Sequence, residues 1–175
     1  GIGGIQLFTA EAPGPGGDKL HPRITDTAKR LWLIYLVYTC LETLLLWLAG
    51  MSFFDAVNHS MSTVSTGGFS TKNASIAFWN DAPIIQYIIT FFMFLAGTNF
   101  VLSYFIFTRK FQKIIADEEF KIYLGFIVFF TTLTSIVVLN AEGISFLGES
   151  ESIYRIESSI RAALFQVVAV ITTTG

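Results

Sequence analysis

Two short stretches carry the residue types needed to hold a cation stripped of part of its water. They are Ser62-Thr63-Val64-Ser65-Thr66-Gly67-Gly68-Phe69-Ser70-Thr71 and Thr172-Thr173-Thr174-Gly175. A partly dehydrated K⁺ needs oxygen ligands in place of water, and rings of backbone carbonyls supply them in potassium-selective pores. Glycine permits the unusual backbone angles that turn carbonyls inward and leaves room at the axis. Ser65 and Thr173 could each add a hydroxyl ligand at the inner mouth. Thr66-Gly67-Gly68 also reads as an ordinary tight turn. A phosphate-cradling loop is a third reading, but the stretch lacks the Lys of a Walker motif and a preceding strand.

The elements around the loops narrow the choice. Phe53 to Val64 has helical character, and Ser52 with Asp55 three positions later forms a capping-box pattern at its start. Twelve helical residues reach about 18 Å, roughly half a membrane. Ile160 to Ile171, ahead of the second loop, is equally short. A half-length helix followed by irregular backbone is tolerated at membrane depth only where protein buries it or it lines a watery cavity. Both segments therefore suit re-entrant pore helices. The alternative is an extramembrane amphipathic helix and loop. Helix C-terminal ends aimed at a pore would add partial negative charge that favours a cation.

Composition supports the membrane. Of 175 residues, 53% are hydrophobic, 18 are Phe and only 14% are charged, with a mean hydropathy of +0.61. An ordinary soluble domain carries roughly 25% charged residues. The net charge of −2 and the lack of a basic run give no reason to expect a nucleic-acid partner. The single Cys40 excludes an internal disulfide framework and a Cys-based metal site. No charged leader precedes an apolar core, so no signal peptide is expected, and both ends read as cut from a longer chain.

The expected organisation follows. Residues 1–30 comprise the tail of a preceding span (1–8) and a Gly/Pro-rich cytoplasmic connector. Residues 31–107 form a complete span, pore helix (53–64), filter (65–69) and second span (84–107). A connector follows at 108–120. Residues 121–175 form the first half of another unit, with a span at 121–140, an acidic loop at 141–157, a pore helix at 160–171 and a filter at 172–175. Leu31–Gly50 is long enough to cross the hydrocarbon core, and Trp32 and Trp47 stand near its ends, where aromatic belts sit. If residues 9–30 and 108–121 share one side, that side holds Lys19, Arg23, Lys29, Arg30, Arg109, Lys110, Lys113 and Lys121, eight of the 11 basic residues. The positive-inside rule makes it cytoplasmic and puts the loops outside. Sliding one half along the other by 108 residues without gaps pairs Asn58 with Gln166, Thr66 with Thr174 and Gly67 with Gly175.

Phe54-Asp55-Ala56, Ser62 to Thr71, Gly97-Thr98-Asn99-Phe100, Ala163-Leu164-Phe165-Gln166 and Thr172 to Gly175 resemble the Trk/Ktr/HKT cation-uptake family. The likeness is closest to its bacterial potassium-uptake membrane subunit. Gly1 to Phe8, Pro13-Gly14-Pro15, Pro22-Arg23-Ile24 and Leu31-Trp32-Leu33-Ile34-Tyr35 add to the likeness, which covers essentially the whole chain.

The resemblance implies an all-α integral membrane protein built from four potassium-channel-like span–pore-loop–span repeats, in the bacterial inner membrane. It implies a homodimer in membrane lipid with a cytosolic nucleotide-binding regulatory ring, and K⁺ as the transported ion with no cofactor in this chain. By motif match, the filter lining falls to Ser65, Thr66, Gly67 and Gly68, and to Thr173, Thr174 and Gly175. The remaining filter loops and the gating elements belong to repeats outside this chain.

Other polar residues have blander roles open to them as well. Glu42 within a span is a functional candidate by default, with a structural hydrogen bond as the alternative. Asn99 is expected to bond another helix and Gly97 to allow close packing. His59 has no second ligand at metal spacing and is expected to be a buried hydrogen-bonding residue. The acidic loop could concentrate cations at the outer mouth. The rival functions are a Na⁺-permeable member of the same family and a non-conducting sensor or assembly subunit. A membrane enzyme has little support, because no paired His, HExxH or Ser/His/Asp set lies at membrane depth.

Overall fold

The computed structural model describes residues 24–141 and 149–175. The expectations for residues 1–23 and for Glu142 lie outside them. The described residues are helical: α1 (Ile24–Leu48), α2 (Phe53–Val64), a 3₁₀ turn (Ser75–Trp79), α3 (Pro83–Ala96), α4 (Phe100–Phe107), α5 (Phe111–Ala116), α6 (Glu118–Ala141) and α7 (Glu149–Ile171).

Helix α3 lies at the centre. Pro83 opens it at a first-turn position, where its missing N–H costs nothing. Its buried Ile85, Ile89 and Met93 pack with Leu46 of α1, Ala56 of α2, Ile127 of α6, and Val168 and Ala169 of α7. Phe92 joins a second cluster with Ile34, Tyr38 and Val64. One helix thus holds α2 on one side and α7 on the other, bringing the C-terminal ends of α2 and α7 towards each other.

Two stretches, Ala28–Leu48 and Glu118–Asn140, are long and apolar enough to cross a membrane. Along α6 the large apolar residues Phe126, Phe129, Leu133, Ile136 and Val137 are exposed. A helix in water would bury such a face; in a bilayer, lipid or further protein covers it. The Arg30 guanidinium of α1 donates to the Tyr104 hydroxyl of α4 (2.8 Å), joining the two helices there.

Three expectations are corrected. The second span is broken: α3 ends at Ala96, and α4 starts at Phe100. Gly97 lies against the Thr172 side chain. Thr98 turns its hydroxyl back to the Leu95 carbonyl (2.7 Å), and the Asn99 carbonyl takes the N–H groups of Leu102 and Ser103. The acidic loop is helical from Glu149, because α7 extends well ahead of residue 160. Helix α1 also begins at Ile24, within the stretch assigned to the connector.

Candidate ion-binding loops

Helices α2 and α7 end in the same way. After α2, the Thr66 N–H bonds to the Thr63 carbonyl (3.0 Å) and the Gly67 N–H reaches back to Ser62 (2.7 Å). After α7, the Thr173 N–H bonds to Val170 (3.1 Å) and the Thr174 N–H to Ala169 (2.9 Å). Each is a Schellman cap, which places the residue after the last helical turn in the left-handed region. That residue is Thr66 (φ +52) in one loop and Thr173 (φ +58) in the other. A β-branched residue at positive φ is a genuine outlier, costing roughly 1–2 kcal/mol, and such strain gathers at functional sites.

The caps also correct the repeat register. Matching hydrogen bonds pair Ser65 with Thr172, Thr66 with Thr173, Gly67 with Thr174 and Gly68 with Gly175. The offset is 107 (173 − 66), not the 108 of the gap-free slide. Gly68 (φ +67) and Gly175 (φ +87) then share a left-handed conformation that glycine adopts without penalty.

The two loops touch. A methyl group placed on Gly68 would lie 2.0 Å from the Thr174 carbonyl oxygen and 3.2 Å from that of Gly175. Of the sequence-predicted residues, Gly68, Thr174 and Gly175 are therefore brought together. Ser65, Thr173 and Gly175 are exposed, while Thr174 is buried. Among the described residues, no backbone N–H takes the carbonyls of Ser65, Thr66, Gly67, Thr172, Thr173 or Thr174. These six carbonyls are thus free of backbone donors within the described residues. The hydroxyls are placed differently from the carbonyls. Ser65 Oγ donates to the Ser62 carbonyl at 3.3 Å. Its partner in the repeat, Thr172, is turned inward, donating to Val168 O and sharing a 2.8 Å hydrogen bond with Thr174 Oγ1.

Behind the first loop is a polar brace. Ser52 Oγ accepts from the Asp55 N–H (3.1 Å) and donates to Asp55 Oδ2, so the expected cap is formed. Asp55 Oδ1 accepts from the Thr71 hydroxyl (2.6 Å), and Lys72 Nζ lies 3.4 Å from Oδ2. The Thr71 hydrogen bond, then those of Ser52 and Lys72, hold the Asp55 carboxyl below the ordinary carboxylate range, against the opposing effect of burial. His59 is buried, its ring hydrogen-bonded to the Asp55 carbonyl (2.8 Å) and Ser70 Oγ (3.0 Å) and set edge-on to Trp79. Three consecutive residues after Phe69, Ser70 to Lys72, are thereby tied to α2. Sequence reasoning gave His59 its role but missed the brace, which is signalled only by the hydroxyls and Lys following Phe69.

The second loop is held from other sides. Arg161, buried on α7, donates to Gln86 Oε1 of α3 (2.6 Å) and to Glu157 Oε1 (3.0 Å), which also accepts from Tyr87 (2.8 Å). The Tyr87 hydroxyl and then Arg161 hold the Glu157 carboxyl below its ordinary range. Glu157 is therefore committed to a clamp and is not a free cation lure. At the inner end, a methyl on Gly97 would meet Thr172 Cγ2 at 2.5 Å and the Tyr123 hydroxyl at 2.9 Å, the close approach expected of that glycine.

Comparison with known proteins places these loops in context. The family model for TrkH, described as a cation transport protein, matches residues 1–175. The Trk system potassium uptake protein TrkH of Escherichia coli is 42% identical over 177 residues, covering 100% of this chain. Its counterpart from Salmonella typhimurium is 40% identical over the same length. The crystal structure of the potassium transporter TrkH from Vibrio parahaemolyticus matches 98% of this chain with a TM-score of 0.79 and 33% identity. The chain spans about a third of those proteins, 35% of each.

Proposed function

We propose, for a chain that belongs to the TrkH family of cation transport proteins, that it supplies two of the loops through which potassium ions cross the membrane. The observation that carries this reading is the convergence at Gly68 and Thr174 of two identically capped helix ends whose carbonyls lack backbone partners. A K⁺ ion passing between them exchanges water for the carbonyl oxygens of Ser65, Thr66, Gly67 and Gly68 on one side and Thr173, Thr174 and Gly175 on the other. Each helix end adds partial negative charge where the cation sits. The strained caps keep the carbonyls in place before the ion arrives, so little reorganisation is needed.

The choice of potassium rests on the names of the relatives. Further pore loops complete the ring in the full-length protein. Arg30 on α1, bonded to Tyr104 of α4, and Arg109, Lys110 and Lys113 just after α4 favour a cytoplasmic location for that end and an outer location for the loops. A homodimer in the inner membrane, regulated by a cytosolic nucleotide-binding ring, fits the family resemblance. The test is ⁸⁶Rb⁺ uptake by the full-length transporter, with Na⁺ as competitor, before and after Gly68→Ala. Loss of flux or of discrimination against Na⁺ is expected. Unchanged uptake and competition would remove Gly68 from the ion path. Equal uptake of both ions by the wild type would favour a poorly selective transporter.

A further inference from the structure

The buried stripe of α1 runs Ile34, Tyr38, Glu42 and Leu46, one residue in four. Three of these suit a helix face packed on α2, α3 and α4. Glu42 does not. None of its side chain is exposed, and neither carboxyl oxygen has a hydrogen-bond partner of full geometry. A polar group beside it is the Thr63 hydroxyl of α2. The side chain is already enclosed by this chain, so no other part of a larger protein reaches it without displacing these helices.

An ionised Glu42 would need a cation or several donors, because an isolated carboxylate buried in an apolar interior is far costlier than its protonated form. Helices α2, α3 and α4 carry no Lys or Arg. Their titratable groups are Asp55, His59, Tyr87 and Tyr104. Asp55 is bonded to Thr71, Ser52 and Lys72, and both His59 nitrogens are engaged. Thr63 donates its only hydroxyl hydrogen to the His59 carbonyl (2.8 Å). What Thr63 presents to Glu42 is therefore a lone pair. A carboxylate has no use for it; a neutral acid donates to it. One residue along α1, Thr43 shares a hydrogen bond with Ser60 of α2, so the interface is pinned at a second point.

Thr63 is well placed to pass on such a bond. Its carbonyl accepts from the N–H of Thr66, the left-handed residue that opens the first loop. We propose that Glu42 is a positioning residue for the Ser65–Gly68 loop. As a neutral acid it donates to Thr63 from behind α2, fixing the depth and roll of the last helical turn and hence the carbonyl spacing. This inference rests on reading the loop as part of an ion filter.

The test compares full-length transporters by ⁸⁶Rb⁺ uptake and its inhibition by Na⁺. The variants are E42Q, E42L, T63S, T63V and the E42L/T63V pair, with G68A as control. E42Q and T63S keep a donor and an acceptor, so both should stay within about two-fold of wild type. E42L and T63V should each lower discrimination about ten-fold, the scale of one lost buried hydrogen bond, and the pair no further. If G68A abolishes discrimination while folded E42L and T63V match the wild type, the role of Glu42 is overturned and the filter reading stands. If E42Q fails as badly as E42L, both being folded by gel filtration, the neutral-acid bond is overturned. If G68A itself has no effect, the filter reading falls and this inference with it. Should E42L not fold, E42Q and the T63S/T63V comparison still decide.

Discussion

Replacing Gly68 by Ala tests the meeting of the two loops most directly. At φ +67 any L-residue pays roughly 1–2 kcal/mol over glycine. The new methyl would also lie 2.0 Å from the Thr174 carbonyl oxygen, where real contacts do not fall below 3.0 Å. The loops must therefore separate by about 1.0 Å (3.0 − 2.0). Forcing one extra methyl into a packed site costs about 1–3 kcal/mol. Together these give about 2–5 kcal/mol, or a factor of about 30 to several thousand at 1.4 kcal/mol per decade. Because the clash is with backbone, no rotamer change relieves it. The filter either widens or fails to form. Gly67→Ala is the internal control. Gly67 has no positive φ, and its methyl would meet the Phe69 ring (3.2 Å) and Ser65 Oγ (3.3 Å), both able to swing aside. Its effect should be near 0.5 kcal/mol, about two- to three-fold. The assay is ⁸⁶Rb⁺ uptake with Na⁺ competition in membranes holding equal amounts of each protein. A Gly68→Ala transporter with wild-type flux and competition would refute the convergence at Thr174. Greater damage from Gly67→Ala would instead restore the pairing of Gly67 with Gly175.

The other perturbations probe the supports. Gly97→Ala should lower the melting temperature of the purified full-length protein by the equivalent of about 1–3 kcal/mol. Adding Thr172→Ser, which removes the nearest clashing atom, Cγ2, should recover part of the loss. Asp55→Asn removes a carboxyl whose folded pKa is depressed, chiefly by Thr71. The stability from that shift is present above the ordinary value of 3.8 and fades as pH falls through the folded value. The wild-type advantage over Asp55→Asn in thermal melting should thus be full near neutrality and shrink below about pH 4. An unchanged gap at low pH would show that the charge does not matter. Arg161→Ala leaves Gln86 Oε1 without its donor, for about 1–3 kcal/mol. It should destabilise the protein without the change in Na⁺ competition expected of Gly68→Ala.

Much of the helical framework was legible because the signals were local. Ser52 and Asp55 mark the start of α2, Pro83 marks the start of α3, and the apolar runs at Leu31 and Lys121 are long enough to reveal themselves. The break at Gly97–Asn99 was not legible. The sequence on either side is apolar and helix-compatible, and the residue packed against Gly97, Thr172, lies 75 residues away. The start of α7 was missed for the opposite reason. Acidic residues and Ser after Glu149 read as loop, while the helix carries Glu157 and Arg161 on a face that clamps α3. For the loops, composition located the residues, and the 108-residue slide missed a register that the letters also carry: a slide by 107 pairs Ser52 with Ser159, Ala56 with Ala163, Thr66 with Thr173 and Gly68 with Gly175.

In the register found by hydrogen bonds the two loops share Thr66 with Thr173 and Gly68 with Gly175. A Schellman cap fixes the backbone of the last helical residues and the two that follow, whatever side chains they carry. Gly67 and Thr174 are equivalent in that frame, and neither has a positive φ. Gly68 and Gly175 are equivalent at positive φ, where a side chain costs strain. Thr66 and Thr173 are equivalent at positive φ as well, yet both are Thr, the less comfortable choice. A residue type kept at a strained position in both loops points to something the backbone alone would not need. Thr173 is exposed and Thr66 partly so, which leaves their hydroxyls free of core packing. If the loops line an ion path as proposed, a hydroxyl ligand at the inner mouth would come from the equivalent pair Thr66 and Thr173, since Thr172, the counterpart of Ser65, is buried and bonded inward. Thr66→Gly would relax the cap while removing the hydroxyl. A gain in thermal stability with a loss of ⁸⁶Rb⁺ discrimination would separate the two contributions, and a gain in stability with discrimination intact would assign the strain to no ion-binding role.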